Sequence, residues 1–145
     1  MNEMHFVPIP TNLLNEPLEK QALYRLRALW WPFLPGIADR GDETEQELFD
    51  SVMSGRVQIG LIWDGKQAHA LIGMMYRRAG REFIGEVHWV TGFGVKEWQH
   101  LLPEVEQFLK EHGCTIIKPV CRPGWKPLLK KAGYKQTHVV MEKML

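Results

Sequence analysis

The sequence has few cysteines, no long apolar run and almost no net charge. Cys114 and Cys121 are the 2 cysteines among 145 residues, and their spacing matches neither a zinc motif nor a disulfide framework. No apolar run approaches the roughly 20 residues of a membrane-spanning helix, and residues 1–10 lack the basic and apolar stretches of a secretion signal. These absences predict a cytoplasmic protein without a structural metal and without membrane insertion.

The charge balance argues against a dedicated nucleic-acid binder. Lys and Arg number 18 and Asp and Glu 17, which gives a formal net charge of +1. The bases are concentrated in the last third of the chain, where they outnumber a single acid: Lys118, Arg122, Lys126, Lys130, Lys131, Lys135 and Lys143. Nucleic-acid binding therefore remains the weakest alternative, and a solvated helix face explains most of these lysines.

The composition is that of one globular domain, residues 1–145. Hydrophobic residues make up 45% of the chain and charged residues 24%. A domain of this length buries roughly 68–70% of the surface that its unfolded chain exposes. Packing alone can therefore stabilise it.

Periodicity predicts two helices in the first third of the sequence. Asn15 can cap a helix over Glu16–Trp31, which Pro32 would terminate. Two prolines and two glycines then predict an irregular turn over Pro32–Gly41. A second helix is expected from Thr44, with acids in its first turn, to a stop at Gly55.

A three-strand meander follows. Alternating and continuous apolar runs predict strands over Val57–Trp63, Gln67–Arg78 and Glu82–Val90, joined by turns at Asp64-Gly65 and Ala79-Gly80. The two faces of the third strand differ in chemistry. Strict alternation places Phe83, Val87 and Trp89 on one face and Ile84, Glu86, His88 and Val90 on the other.

The second half of the chain alternates helices and strands. A helical pattern ends at Gly113, and Pro103 either kinks this helix or begins it. A strand over Cys114–Val120, a short helix opened by Pro123 and a closing strand over Lys135–Lys143 complete the pattern. This order predicts an α/β (α+β) domain with a mixed, mostly antiparallel sheet and helices on both faces.

The element order resembles that of the GCN5-related N-acetyltransferase (GNAT) superfamily. The runs Glu111–Cys114, Arg122–Leu129, Gly133–Tyr134 and Lys143–Leu145 are more closely similar to small GNAT-like proteins of phages and prophages. The superfamily resemblance implies that the third meander strand and the strand at Cys114 splay apart. It also implies that the pantetheine arm of acetyl-CoA enters this gap.

The resemblance further implies a pyrophosphate-binding loop after the third strand. Members carry a Gln/Arg-x-x-Gly-x-Gly/Ala loop at this point, and the matching stretch here is Trp89–Gly94, with Trp89 at the first position. Glycines let the backbone amides approach an anion at a helix N-terminus, although a plain strand-to-helix turn also explains two such glycines. The implied cofactor-binding residues are Trp89, Val90, Gly92, Phe93, Gly94, Val95 and Arg122.

Glu86 and His88 are the candidate catalytic residues. They share a strand face where superfamily members often carry the base that takes a proton from the acceptor amine, and either could act. Ordinary polar residues on a half-exposed sheet face are the alternative. The position of the usual tyrosine acid is occupied by Leu129, while Tyr134 is expected to pack in the core.

The resemblance implies two alternative functions. One is acetyl-CoA-dependent N-acetyl transfer to an unknown amine acceptor. The other is a catalytically inactive GNAT-shaped phage protein that is structural, virion-associated or bound to a host protein, in the host cytoplasm or on the virion.

Overall fold

The computed structural model describes residues 3–10, 17–92, 100–121 and 123–145. Its centre is a five-stranded sheet whose strands lie in chain order. Neighbouring strands are antiparallel except the last pair, which is parallel. This arrangement confirms the mixed, mostly antiparallel sheet that the sequence predicts. The strands are β1 (His5–Pro8), β2 (Gln58–Trp63), β3 (Ala68–Ala79), β4 (Glu82–Thr91) and β5 (Ile116–Pro119).

The edge strand β1 is absent from the sequence prediction. It pairs with β2 from His5 opposite Trp63 to Pro8 opposite Gly60. Within β1 only Phe6 is buried, so the strand carries too little apolar alternation to be recognised. Proline at the strand end is tolerated because β1 lies at the edge of the sheet.

The predicted helix over Glu16–Trp31 is wrong as a continuous element. Asn15 and Glu16 lie outside the described residues, and from residue 17 onward the chain forms several short pieces. Gln21 adopts an extended conformation (φ −75°, ψ 131°), which breaks the helical path before α1 begins. The pieces are a 3-10 turn over Leu18–Lys20, α1 (Ala22–Arg25), α2 (Arg27–Trp30), a 3-10 turn over Trp31–Phe33 and α3 (Leu34–Ala38).

The predicted stop at Pro32 and the irregular turn over Pro32–Gly41 are also wrong. The chain stays helical to Ala38, because Pro32 and Pro35 each occupy the first turn of a new short element. At such a position the missing proline N–H has no helical partner to lose, so proline begins a helix instead of ending it.

The next helix agrees with the prediction. Helix α4 spans Glu45–Met53, and Thr44 caps it in a box in which its hydroxyl accepts from the Glu47 N–H at 3.2 Å. The Glu47 carboxylate accepts from the Thr44 N–H in return. The predicted turn at Asp64-Gly65 is also present, with Asp64 Oδ1 accepting from two backbone N–H groups, each at 2.8 Å.

In the second half, Pro103 begins a helix instead of kinking one. Helix α5 spans Leu102–Glu111 with Pro103 in its first turn. A 3-10 turn over Pro123–Trp125 leads into α6 (Lys126–Lys131). The predicted closing strand over Lys135–Lys143 is wrong: these residues form no regular structure and are mostly exposed, since their alternation has no neighbouring strand to pair with.

Two apolar clusters cover the two faces of the sheet. One joins the short helices and α4 to β2, β3 and the end of β4, and its buried helical residues include Trp30, Leu34 and Leu48. The other joins α5 to the opposite face through Val105 and Leu109. Among the helices of the described residues, none has the length and apolar character needed to cross a bilayer.

Candidate active site

The pairing of β4 with β5 ends before β4 does. Their parallel pairing runs from Ile84 opposite Ile116 to Val87 opposite Pro119, and the Val120 N–H then donates to the Val87 carbonyl at 2.9 Å. Strand β4 continues to Thr91, whereas β5 ends at Pro119. Beyond Val87, β4 therefore pairs with β3 alone, and we call the end of the β4–β5 pairing the fork.

A β-bulge lies at the base of this fork. Met74 of β3 pairs with Val87 and Gly73 pairs with Trp89, so His88 is the extra residue on β4. The bulge reverses the alternation beyond it. Val87 belongs to the cluster under α5, but Trp89 belongs to the cluster under the N-terminal helices.

The predicted faces of the third strand are corrected accordingly. Trp89 does not share a face with Val87, and Val90 packs with Val87 instead. A Cβ on Gly73 would lie 2.5 Å from Cε3 of Trp89, so only glycine at this β3 position admits the indole. Trp89 is 7% exposed, and its side chain packs on the face of the sheet that the N-terminal helices cover. It therefore does not fill the fork.

An apolar cavity of about 40 Å³ lies beside the fork on the α5 face of the sheet. Its lining comes from five elements or the turns beside them, and includes Val87, Val90, Val105, Cys121, Trp125 and Leu129. Partial burial raises the pKa of the Cys121 thiol. Leu129, at the position where the resemblance implies a tyrosine, faces this cavity and presents no hydroxyl to it.

A polar cluster occupies the opposite face of β4. Glu86 pairs through Oε1 with Nε of Arg77 on β3, and its Oε2 lies 3.0 Å from Nε2 of His88. The Glu86 side chain is 17% exposed and that of His88 is 32% exposed. The structure thus brings the two predicted catalytic residues into direct contact, and it adds Arg77 to them.

The electrostatics of the cluster fix the charge of Glu86. Partial burial acts to raise its pKa, but hydrogen bonds from Arg77 and His88 and the charge of Arg77 outweigh burial and lower it. A carboxylate with a lowered pKa stays ionised at neutral pH and is a weak base. It is suited to orienting the imidazole of His88.

Sequence reasoning missed Arg77. The turn at Ala79-Gly80 could have supplied the signal, because it fixes the β3–β4 register with Arg77 opposite Ile84. Residues two apart on a strand share a face, so Glu86 is the diagonal neighbour of Arg77. The register of the hairpin therefore predicts an arginine beside the carboxylate of Glu86.

The predicted phosphate loop is described only in part. Phe93, Gly94, Val95 and Arg122 lie outside the described residues. Gly92 has φ +109°, and a Cβ there would lie 2.2 Å from the carbonyl oxygen of His69. Close contact with β3 therefore accounts for glycine at this position without any ligand.

Tyr134 joins two helices. Its hydroxyl donates to the Glu106 carboxylate on α5, and its N–H donates to the Leu129 carbonyl of α6 at 2.9 Å. Burial and the Glu106 carboxylate both raise the pKa of the phenol. Tyr134 is half-buried and belongs to neither apolar cluster, so the expected core packing is replaced by hydrogen bonds that join two helices. Within the described ranges no three His, Cys, Asp or Glu side chains come together as a potential metal group.

Comparison with known proteins identifies the fold. No protein-family model and no curated protein sequence matches the chain. Among solved structures, a putative acetyl transferase from Pyrococcus furiosus superposes with a TM-score of 0.63 at 17% identity, covering 99% of this chain and 100% of that one. Glucosamine-6-phosphate N-acetyltransferase from Arabidopsis thaliana gives 0.63 at 14% identity, with 98% of each chain covered.

A third structure agrees with these two. An acetyltransferase from Trypanosoma brucei gives a TM-score of 0.65 at 9% identity, covering 99% of this chain and 100% of that one. At such low identities the likeness concerns the fold. The chain therefore has the fold of GNAT acetyltransferases over nearly its whole length.

Proposed function

We propose that the protein is an acetyl-CoA-dependent N-acetyltransferase. The observation that carries the proposal is the fork between β4 and β5, with an apolar cavity on one side and the Glu86–His88 pair on the other. An acyl donor entering from the cavity face and an amine arriving at the polar face would meet at the fork. Function is argued here from this site and not from the fold alone.

The end of β4 supplies polar groups for the donor. The Thr115 N–H donates to the Phe83 carbonyl, and the Val120 N–H donates to the Val87 carbonyl. Up to the bulge, the backbone N–H and C=O groups of the odd-numbered residues of β4 therefore point towards β5. Past His88 the alternation reverses, and the N–H and C=O of Val90 face away from β3. Two amides in the pantetheine arm of acetyl-CoA could pair with these groups. The cavity beside Val90 would take its apolar part.

The remaining predicted contacts concern the pyrophosphate. In this proposal the backbone amides from Gly92 to Val95 and the guanidinium of Arg122 bind it, and Trp89 contributes only backbone. Acetyl-CoA supplies an acetyl group activated as a thioester. Gly92 then has two functions, because its close contact with His69 is required in either case.

His88 is the proposed base, and Glu86 and Arg77 position it. The acceptor amine gives its proton to the imidazole, a C–N bond forms, and the C–S bond of the thioester breaks. Glu86 holds the ring at 3.0 Å, while Arg77 holds Glu86. The thiolate takes its proton from water, since Leu129 offers none.

Calorimetry with acetyl-CoA tests the binding step, and release of free thiol with a panel of amino sugars, polyamines and lysine peptides tests turnover. We expect His88→Ala to retain acetyl-CoA binding and to lose roughly a hundredfold in kcat. His138→Ala, an exposed histidine outside the site, is the matched control. Absence of binding at millimolar acetyl-CoA would overturn the proposal.

Leu129 favours a second candidate, a phage protein of this fold without catalysis that binds a structural or host protein. An apolar side chain at the family acid position removes one catalytic group from the cavity. Acetyl-CoA binding without thiol release, with every amine tested and at every pH, would support this candidate over the first.

A further inference from the structure

The apolar cavity beside the fork is larger than an acetyl group requires. Its volume is about 40 Å³, whereas a single water molecule needs about 10–15 Å³ of such space. The cavity therefore has room for roughly three groups the size of a water molecule or a methylene. An acetyl group presents one methyl, so most of this space would stay empty in acetyl transfer.

The lining of the cavity favours carbon over water. Leu102 and Val105 of α5 and Leu128 and Leu129 of α6 are part of it, and its surface is almost wholly apolar. Among the described residues that line it, none has a charged, hydroxyl or amide side chain. A buried water needs two to four polar partners. A space of this kind stays dry or takes an apolar group, which gains free energy by leaving water.

The cavity reaches the closed end of the fork. Val87 and Pro119 are the last residues that β4 and β5 pair, and both line the cavity, as does Val90 further along β4. In the proposed donor orientation the pyrophosphate lies at Gly92–Val95, and the pantetheine arm passes Val90 on its way into the fork. The thioester is at the other end of this arm. The acyl group would therefore lie where Val87 and Pro119 line the cavity.

Leu129 connects the lost hydroxyl with the available space. It lines the cavity at the position where the resemblance implies a tyrosine. A leucine side chain is shorter than a tyrosine side chain and carries no polar atom. The same residue that offers the thiolate no proton therefore leaves room for carbon beside the thioester.

We propose that this cavity is an acyl-chain pocket, and that the protein transfers straight-chain acyl groups of about four carbons, such as butyryl, as well as acetyl. The pocket rests on the proposed function, because it uses the same fork and the same base. The amine nitrogen forms the C–N bond and gives one proton to His88, and the electron pair of the C–S bond leaves with the thiolate. Water protonates the thiolate and takes the proton back from His88. The added methylenes stay in the cavity and take no part in these bond changes.

Calorimetry of the full chain with free CoA and with its acetyl, butyryl, hexanoyl and decanoyl thioesters tests the pocket. We expect about a fourfold gain in affinity for each methylene from acetyl to butyryl. Beyond hexanoyl we expect no further gain, because the cavity is then full. Thiol release with the panel of amines should give a higher kcat/KM for butyryl-CoA than for acetyl-CoA.

Two variants change the size of the cavity in opposite directions. Leu129→Phe fills it without adding a hydroxyl, so the affinity for butyryl-CoA should fall roughly tenfold or more, to the level of acetyl-CoA. Val105→Ala removes two methyl groups from the lining and should move the preferred chain one or two carbons longer. Leu26→Phe makes the first exchange at an exposed residue outside the cavity and should keep the preference for butyryl. Melting temperatures check that each variant is folded.

The failure of the pocket and the failure of the proposed function give different results. Tighter binding of acetyl-CoA than of butyryl-CoA would overturn the pocket and leave acetyl transfer standing. Equal affinity across the series, with free CoA included, would do the same, because the cavity would then hold the pantetheine arm that all these ligands share. A gain that continues to decanoyl and is unchanged in Leu129→Phe would mean that the chain binds elsewhere, which also overturns the pocket. Failure of every thioester to bind at millimolar concentration would overturn the proposed function, and the pocket with it.

Discussion

The Nε2 atom of His88 lies 3.0 Å from Oε2 of Glu86, although the two residues flank Val87 on one strand. In a regular strand, the side chains of residues two apart lie on the same face and run parallel to each other. Here His88 is the bulged residue, and its ring reaches Glu86 while the other carboxylate oxygen is bound by Arg77. A backbone irregularity thus organises a polar triad at the point where the pairing of β4 with β5 ends.

Arg77→Met should lower turnover without weakening acetyl-CoA binding. The change removes the guanidinium that fixes Glu86, so the orientation of His88 becomes less defined, and we expect kcat to fall roughly ten- to hundredfold. Steady-state thiol release measures kcat, and calorimetry measures binding. Arg77→Lys should recover part of the rate. Arg78→Met, whose guanidinium lies over Phe83, is the control and should leave kcat unchanged.

Asp64 should make the stability of the protein sensitive to acid. The hydrogen bond from His69, with those from two backbone N–H groups, lowers the pKa of Asp64 from 3.8 to about 2. A folded-state pKa below the unfolded one stabilises the fold above the unfolded value, and this contribution is lost as pH falls from 3.8 towards about 2. Urea unfolding across this range should give a shallower pH dependence for Asp64→Asn. Exposed Asp42→Asn should retain the steep dependence.

The sequence predicts correctly those elements whose formation depends on residues close together in the chain. The helix start at Thr44, the turn at Asp64-Gly65 and the strands β2–β4 were predictable because each depends on neighbours in sequence. The phage likeness, the cytoplasmic location and the cofactor loop stay predictions. The fold class was predictable from element order, and the structural comparisons support it.

The errors share a different cause, which is dependence on distant residues. The bulge at His88 follows from packing Trp89 over Gly73 on a neighbouring strand, and nothing within β4 marks it. The short strand β1 is likewise decided by its pairing with β2. The segment at residues 135–143 has strand chemistry, but a strand exists only where a partner pairs with it.

Gly92→Ala should destabilise the protein even without any ligand. The added Cβ would lie 2.2 Å from the His69 carbonyl oxygen, and φ is +109°, a conformation that alanine rarely adopts. Steric overlap of this kind costs about 1–3 kcal/mol, with backbone strain in addition. Thermal and urea unfolding measure the loss. Gly124→Ala, where a Cβ would meet nothing within 4 Å, is the control; equal stability of the two variants would contradict the contact with β3.

Leu129→Tyr should raise the turnover of the proposed enzyme. Leu129 faces the apolar cavity beside the fork, so a hydroxyl there would stand where the departing thiolate needs a proton. General acid catalysis contributes roughly 10² or more where it operates, and we expect at least a severalfold rise in kcat, with affinity for acetyl-CoA little changed.

The neighbouring cavity residue provides the control for this substitution. Leu128→Tyr introduces the same side chain into the same cavity lining one position away, and it should not raise kcat. Both variants add bulk to a packed site. Melting temperatures must therefore show that each variant is folded under the assay conditions before the kcat values are compared. A rise in kcat for both variants, or for neither, would show that position 129 does not face the leaving group. The acyl donor would then have to bind at the fork in a different orientation.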